Sequence, residues 1–275
     1  MEPVWSSVPG AQLLRQLIQL QEKHASTASK DKRRLLRLFK DTVSGQAMEF
    51  RDDEQKDAHE FLTSVLDQIQ GLCPLLKEAA AGSGTTYTCP VEENLVFWME
   101  NTRTCQTCGA QNTRREKFTN ISLDVIPGGT TEEMLEAYQE EEAFEFTCQC
   151  GGRISTLKST LDTLPGVLIM HLKRFRFTPT FTLEKVDDPV QVQRDMVVSS
   201  NQGGGCYSLV STINHFGTAQ GGHYIADALH PDDCPYEPTD RWLTLNDSKV
   251  TETVGSSVCK ERKESAYVLF YKRHV

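Results

Sequence analysis

A histidine at the start of a strand, just behind two glycines, is the residue in this chain best suited to moving protons. His223 follows Gly221 and Gly222 in the run Tyr207 to Ala228 (YSLVSTINHFGTAQGGHYIADA), where two alternating stretches flank a Gly-rich turn. Glycines there would let another backbone or an extended substrate pass close to the imidazole. Its ordinary pKa lies near neutrality, which suits a general base. Further along, Trp242-Leu-Thr-Leu245 reads as a strand ending on Asn246-Asp247-Ser248. An amide or carboxylate at such a strand end can accept the imidazole N–H and hold one tautomer. Each feature also has a plain reading: a strand histidine satisfied by a neighbour, and a turn that Asn-Asp-Ser makes well.

The cysteines form a second constellation. Nine are present, at positions 73, 89, 105, 108, 148, 150, 206, 234 and 259. An odd number in a chain too long for a disulfide scaffold points to thiols or a metal site in a reducing compartment, the cytoplasm and/or nucleus. Cys105-x-x-Cys108 and, 39 residues later, Cys148-x-Cys150 pair as in a zinc ribbon, with Gly109 and Gly151-Gly152 placed for knuckle turns. One structural zinc on these four sulfurs is expected, and no catalytic cofactor. The second pair has one residue fewer than the usual gap, which makes it harder for both sulfurs to face one ion. Four reduced thiols without metal are the other reading.

The elements that must carry these residues change character along the chain. Residues 11 to 45 read as helical, with the loop between two helices at Ser26 to Lys32, and a further helix starts near Asp53 under an Asp52 or Asp53 cap. Ala58, Phe61, Leu62, Val65, Leu66 and Ile69 give it an apolar face, and it ends by Gly71 and Pro74, ahead of a small-residue loop from Ala79 to Thr86. From Tyr87 onward short β-type runs dominate, at 95–97, 118–125, 154–157, 166–176 and 207–215, with one helix at Thr131 to Tyr138. Helices first and strands after predict an α+β fold, a helical lobe beside a mainly antiparallel sheet.

Composition narrows the partners. The 275 residues carry 29 basic and 38 acidic side chains, a net charge of -9, which argues against nucleic acid and suits a basic partner. No apolar run is long enough to span a bilayer, so no membrane partner is expected. The basic cluster Lys30, Lys32, Arg33 and Arg34 reads as a solvated helix face.

Four blocks in order then give a specific resemblance: Gln55 to Leu62 (QKDAHEFL), Leu164 to Phe175 (LPGVLIMHLKRF), Gly221 to Tyr224, and Trp242 to Val250, followed by a closing Ala266 to Tyr271 (AYVLFY). Together they resemble the ubiquitin-specific protease family, cysteine deubiquitinases of papain-like fold, across essentially the whole chain. The resemblance implies a helical partial thumb over residues 1–80, fingers with the possible zinc ribbon over 87–160, and a palm with the histidine over 161–275. It implies thiol-dependent hydrolysis of (iso)peptide bonds at the C-terminus of ubiquitin, with ubiquitin and ubiquitinated proteins as partners. His223 matches the catalytic histidine, and Asn246 with Asp247 the pair that orients it, Asn246 being favoured as the direct partner. Gly222 and Tyr224 fall on the substrate side. Asp57 and Glu60, three apart on one helix face, match residues facing ubiquitin's arginine-bearing tail.

One departure stands against this. The family's nucleophile lies in a Gly-Asn-Thr-Cys-like box ahead of the first block, and here the first cysteine, Cys73, comes after it. None of the nine cysteines has the Asn-Thr context, so the chain as written is expected not to cleave. Two readings compete: a fragment of an active enzyme, or a pseudoenzyme that binds ubiquitin without hydrolysing it. A third, from another class, is a zinc-ribbon adaptor.

Overall fold

The computed structural model describes residues 8–23, 29–232 and 239–274. Cys234 and the first part of the predicted 26–32 loop lie outside these residues. The chain divides into two compact units, one ending at Glu93 and one beginning at Asn94.

The first unit is helical. Helices α1 (Gln12–Glu22) and α2 (Ser29–Ser44) match the expected helical stretch, except that α2 begins at Ser29, inside the predicted loop. Helix α3 (Ala58–Gly71) starts one turn later than the sequence suggested. Its cap is Asp57, whose Oδ1 accepts the His59 and Glu60 amides at 2.8 and 2.9 Å; Asp52 instead takes the Lys56 ammonium at 2.8 Å. The chain does not leave helix at Pro74. Pro74 falls in the first turn of α4 (Cys73–Gly82), where its missing N–H is not needed, and an alanine run carries the helix on to Gly82. A short α5 (Pro90–Asn94) closes the unit. Val43, Phe50, Val65, Leu66, Ile69 and Leu76 are buried within it.

The second unit is built on sheets. Strands β1 (Phe97–Cys105), β2 (Gln111–Phe118), β4 (Glu142–Glu145) and β5 (Ile154–Leu161) form an antiparallel sheet in the order β2-β1-β5-β4. The larger sheet takes β3 (Ile121–Leu123), β6 (Val167–Leu172), β10 (Gly203–Thr218), β11 (Gly221–Leu229), β12 (Arg241–Asn246), β13 (Lys249–Val254) and β14 (Ala266–Arg273) in the order β13-β12-β11-β10-β14-β6-β3. Strand β9 (Asp195–Ser200) pairs with the first part of β10, and β3 pairs with β6 in parallel. Strands β7 (Phe175–Phe177) and β8 (Leu183–Lys185) make a separate hairpin. Helix α6 (Thr131–Tyr138) occupies the predicted residues and opens with a capping box, Thr130 against Glu133. Helix α7 (Gly255–Glu261) lies between β13 and β14. The α+β expectation therefore holds.

The core of this unit runs from Phe97 and Met99 through Leu168, Met170 and Tyr207 to Trp242 and Tyr271. Arg174, from the LKRF segment, is fully buried as well. Its guanidinium donates to the carbonyls of Ala266, Val186, Asp188 and Lys263 at 2.6 to 3.0 Å, so carbonyl dipoles take the place of water around the charge.

Candidate functional site

His223 sits on the second strand of the β10–β11 hairpin, opposite Phe216, with Thr218 and Gly221 as the closing pair. Asn246 ends β12 and pairs with Lys249 across a two-residue turn, where Asp247 holds φ 51°. A left-handed residue suits such a turn, and aspartate tolerates it better than most. This turn brings Asn246 Oδ1 to 2.7 Å from His223 Nε2. The Asp247 carboxylate stands at 4.0 Å from the same nitrogen, beyond hydrogen-bond range, and its side chain is 82% exposed. With Oδ1 accepting, Nε2 carries the proton and Nδ1 keeps the lone pair. The geometry thus makes Asn246 the direct partner and presents Nδ1 as the basic atom.

The glycines before His223 have different jobs. A Cβ on Gly222 would lie 2.1 Å from the Phe216 carbonyl and 2.4 Å from His215 Nε2, so glycine is required there by the hairpin itself. A Cβ on Gly221 would meet nothing within 4 Å. Close passage of a second chain, expected of both, is open only at Gly221. Strand alternation turns Tyr224 away from His223, and its ring packs on His215 at 4.7 Å and near Tyr267 at 6.0 Å. Its packing supports the strand, whereas the sequence placed it on the substrate side.

Sequence reasoning missed Asp227, which shares His223's strand and face. It is fully buried. Its Oδ2 accepts from Arg262 Nε at 2.8 Å, Asn214 Nδ2 at 2.9 Å and Thr212 Oγ1 at 3.4 Å, and its Oδ1 from Thr244 Oγ1 at 2.5 Å. One carboxylate thus ties together β10, β11, β12 and the end of α7, the elements that hold His223 and Asn246. An acidic residue inside the apolar run Tyr224 to Ala228 was the available signal.

In the first unit, Asp57 and Glu60 do not share a helix face as expected. Asp57 is the cap, in extended conformation, with Oδ1 engaged by two amides. Glu60, the third helical residue, is exposed and lines a groove with Glu49, Thr63, Ser64, Asp67 and Gln68. Of the two, Glu60 is the more exposed.

The four cysteines come together at the tip of the four-stranded sheet. Cys105 Sγ lies 3.8 Å from Cys150 Sγ, and Cys108 Sγ lies 3.8 Å from Cys148 Sγ. Zinc bonds of about 2.3 Å in a tetrahedron set sulfurs about 3.8 Å apart, so the cluster could hold a metal ion. The short Cys148-x-Cys150 gap is no obstacle, because Gly151 turns at φ 86° and the Gly152 N–H reaches back to Cys150 Sγ at 3.4 Å. A Cβ on Gly152 would press Thr107 Oγ1 at 2.5 Å and Cys105 Sγ at 3.1 Å. N–H groups of Cys108 and Thr107 aimed at its sulfur lower the Cys105 thiol to about 6. For Cys150 the Gly152 N–H pulls the same way, but the sulfurs of Cys108, Cys148 and Cys105, together with burial, push it up to about 12. Four sulfurs this close cannot all ionise without a cation among them.

The family model described as ubiquitin carboxyl-terminal hydrolase matches residues 8–271. Human ubiquitin carboxyl-terminal hydrolase 37 is 31% identical over 218 residues, covering 72% of this chain and 22% of its own length. The probable ubiquitin carboxyl-terminal hydrolase 8 of Schizosaccharomyces pombe is 30% identical over 220 residues, covering 79% and 45%. This chain therefore spans less than half of either relative. Among solved structures, the SAGA DUB module Ubp8/Sgf11/Sus1/Sgf73 bound to monoubiquitin contains a chain that superposes with TM-score 0.78 at 23% identity, covering 96% of this chain and 59% of that one. The same module bound to ubiquitin aldehyde gives TM-score 0.73 at 20% identity, covering 100% and 67%. No described helix is long and apolar enough to cross a membrane. With the family model covering nearly its whole length, the chain belongs to the ubiquitin carboxyl-terminal hydrolase family.

Proposed function

We propose that this chain supplies the general base and a ubiquitin-binding surface for deubiquitination, the thiol-dependent hydrolysis of (iso)peptide bonds at the C-terminus of ubiquitin. The observation that carries the reading is the 2.7 Å contact between His223 Nε2 and Asn246 Oδ1. It holds the tautomer whose Nδ1 can take a proton from a thiol and later return it to the leaving amine. Asn246 steadies the imidazolium formed between those steps. Asp247, exposed and farther away, adds favourable charge near that cation. Glu60 and its acidic groove suit the basic tail of ubiquitin. Cys105, Cys108, Cys148 and Cys150 fit one zinc, which when bound supplies a crosslink between the β1 and β5 ends of the sheet and takes no part in proton transfer.

The nucleophile is not among these residues. None of the nine cysteines follows an Asn-Thr pair, and this favours a second reading, ubiquitin binding without hydrolysis by the 275 residues alone. Calorimetric titration with ubiquitin tests the shared part: saturable binding is expected, weakened by Glu60→Lys. No binding at millimolar ubiquitin would sink both readings. A fluorogenic ubiquitin C-terminal conjugate should show no steady turnover by this chain. Turnover lost on Cys→Ala at one of the nine positions would show that the nucleophile had been misread. A transcript encoding an in-frame Gly-Asn-Thr-Cys box before Met1 would decide for the enzyme over the pure binder.

A further inference from the structure

A second set of ligand-type atoms lies in the helical unit, apart from the four-cysteine cluster. Cys73 heads α4, Cys89 immediately precedes α5, and Glu92 lies on α5. The two sulfurs and the Glu92 carboxylate all fall within 4.8 Å of one another. Both sulfurs are buried, at 3% and 1% exposure. The Cys73 thiol donates to the Ile69 carbonyl at 3.5 Å and also hydrogen-bonds Cys89, while Glu92 reaches Lys77 at 3.1 Å on the solvent side.

A separate observation points to a missing ligand. The Tyr87 hydroxyl is sealed from solvent and has no hydrogen-bond partner among the described residues. Tyr87 stands two residues before Cys89 in the chain. A buried hydroxyl without a partner is uncommon in a folded protein, and an ion or water at the site is the ordinary remedy.

We propose that Cys73, Cys89 and Glu92 bind one zinc ion, with a water in the fourth position donating to the Tyr87 oxygen. Two sulfurs and one oxygen suit zinc, which accepts both. Calcium and magnesium want oxygen alone, and copper(I) prefers sulfur throughout. Bonds of about 2.3 Å to sulfur and about 2.0 Å to oxygen bring tetrahedral ligands to roughly 3.5–3.8 Å. The cluster needs only a contraction of roughly 1 Å, within the reach of side-chain rotation. The ion would pin the start of α4 to the start of α5 and so close the loop of small residues between them. Burial of both sulfurs makes this a structural clamp.

Metal analysis of the whole 275-residue chain, prepared with zinc in the medium, tests this independently of the ribbon. The parent should carry about two equivalents and Cys105→Ser/Cys108→Ser about one, since each site holds a single ion. Cobalt added to that variant after zinc removal should give a thiolate-to-metal absorption band. Glu92→Gln alters an outward-reaching side chain and should leave the fold intact, while zinc retention against a chelator falls at least about tenfold. That variant keeps the test sound if the cysteine variants fail to fold. A folded Cys105→Ser/Cys108→Ser chain with under about a tenth of an equivalent and no cobalt band would overturn the site. So would unchanged retention in Glu92→Gln, or a Cys73–Cys89 disulfide in the purified protein.

Discussion

Strand β11 carries two polar side chains on one face, and they live under opposite rules. His223, near one end, is half-exposed and has one short hydrogen bond, to a side chain at the tip of a turn. Asp227, four residues on, is sealed, with partners on β10, β12 and α7. The buried end fixes where the strands lie. The exposed end inherits that placement and keeps a nitrogen available for chemistry. A proton-transfer group is therefore positioned here by a network it does not touch.

The comparison can be broken by removing each part in turn. Asp227→Ala should have the largest effect, because Arg262, Asn214, Thr212 and Thr244 all lose their buried acceptor and Arg262 keeps only the exposed Glu261 at 3.6 Å: a loss of about 3–5 kcal/mol in urea unfolding. A loss below about 1 kcal/mol would show that the network is not the anchor. Gly222→Ala comes next. Its methyl would press the Phe216 carbonyl, costing about 1–3 kcal/mol, while Gly221→Ala should change stability by no more than about 0.5 kcal/mol. Equal effects at the two positions would remove the distinction between them. Asn246→Ala deletes an exposed hydrogen bond and should cost at most about 1 kcal/mol. Its signature lies elsewhere, in nitrogen NMR of the imidazole, where the preference for the proton on Nε2 should fade. Last, His223→Ala should leave stability within about 0.5 kcal/mol of the parent. A larger loss would mean that His223 serves the fold.

Where a residue's job depends on local pattern, the sequence was a good guide. Helix α6 lies on the expected residues because Thr130 and Glu133 declare its start, and the Asn246 turn was legible from its residue types. What escaped depended on partners distant in sequence. Strand β2 (Gln111–Phe118) is polar almost throughout and shows no apolar period. It exists because β1 pairs with it, with Thr102 meeting Thr113 at 3.0 Å and Asn101 meeting Glu116 at 2.7 Å. The Asp57 cap was misplaced by one turn, since three nearby aspartates compete and only chain geometry chooses between them. Asp227 looked like an interruption of a strand until its four partners, from three other elements, were in place. Gly222 was rightly singled out, but for the passage of a substrate, whereas a carbonyl of its own hairpin demands it.

The order of strands carries a consequence for how the protein is made. Strands β9, β10 and β11 are neighbours in sequence as well as in space, and each turn between them is short, so a nascent chain can form them early. Strand β14 is different: it follows all the others in the chain yet sits between β10 and β6, near the middle of the sheet. Until it emerges from the ribosome, β10 and β6 each present an unpaired edge. During that interval the half-made protein is a template for pairing with other chains, and protection by a chaperone matters most just before the last strand arrives.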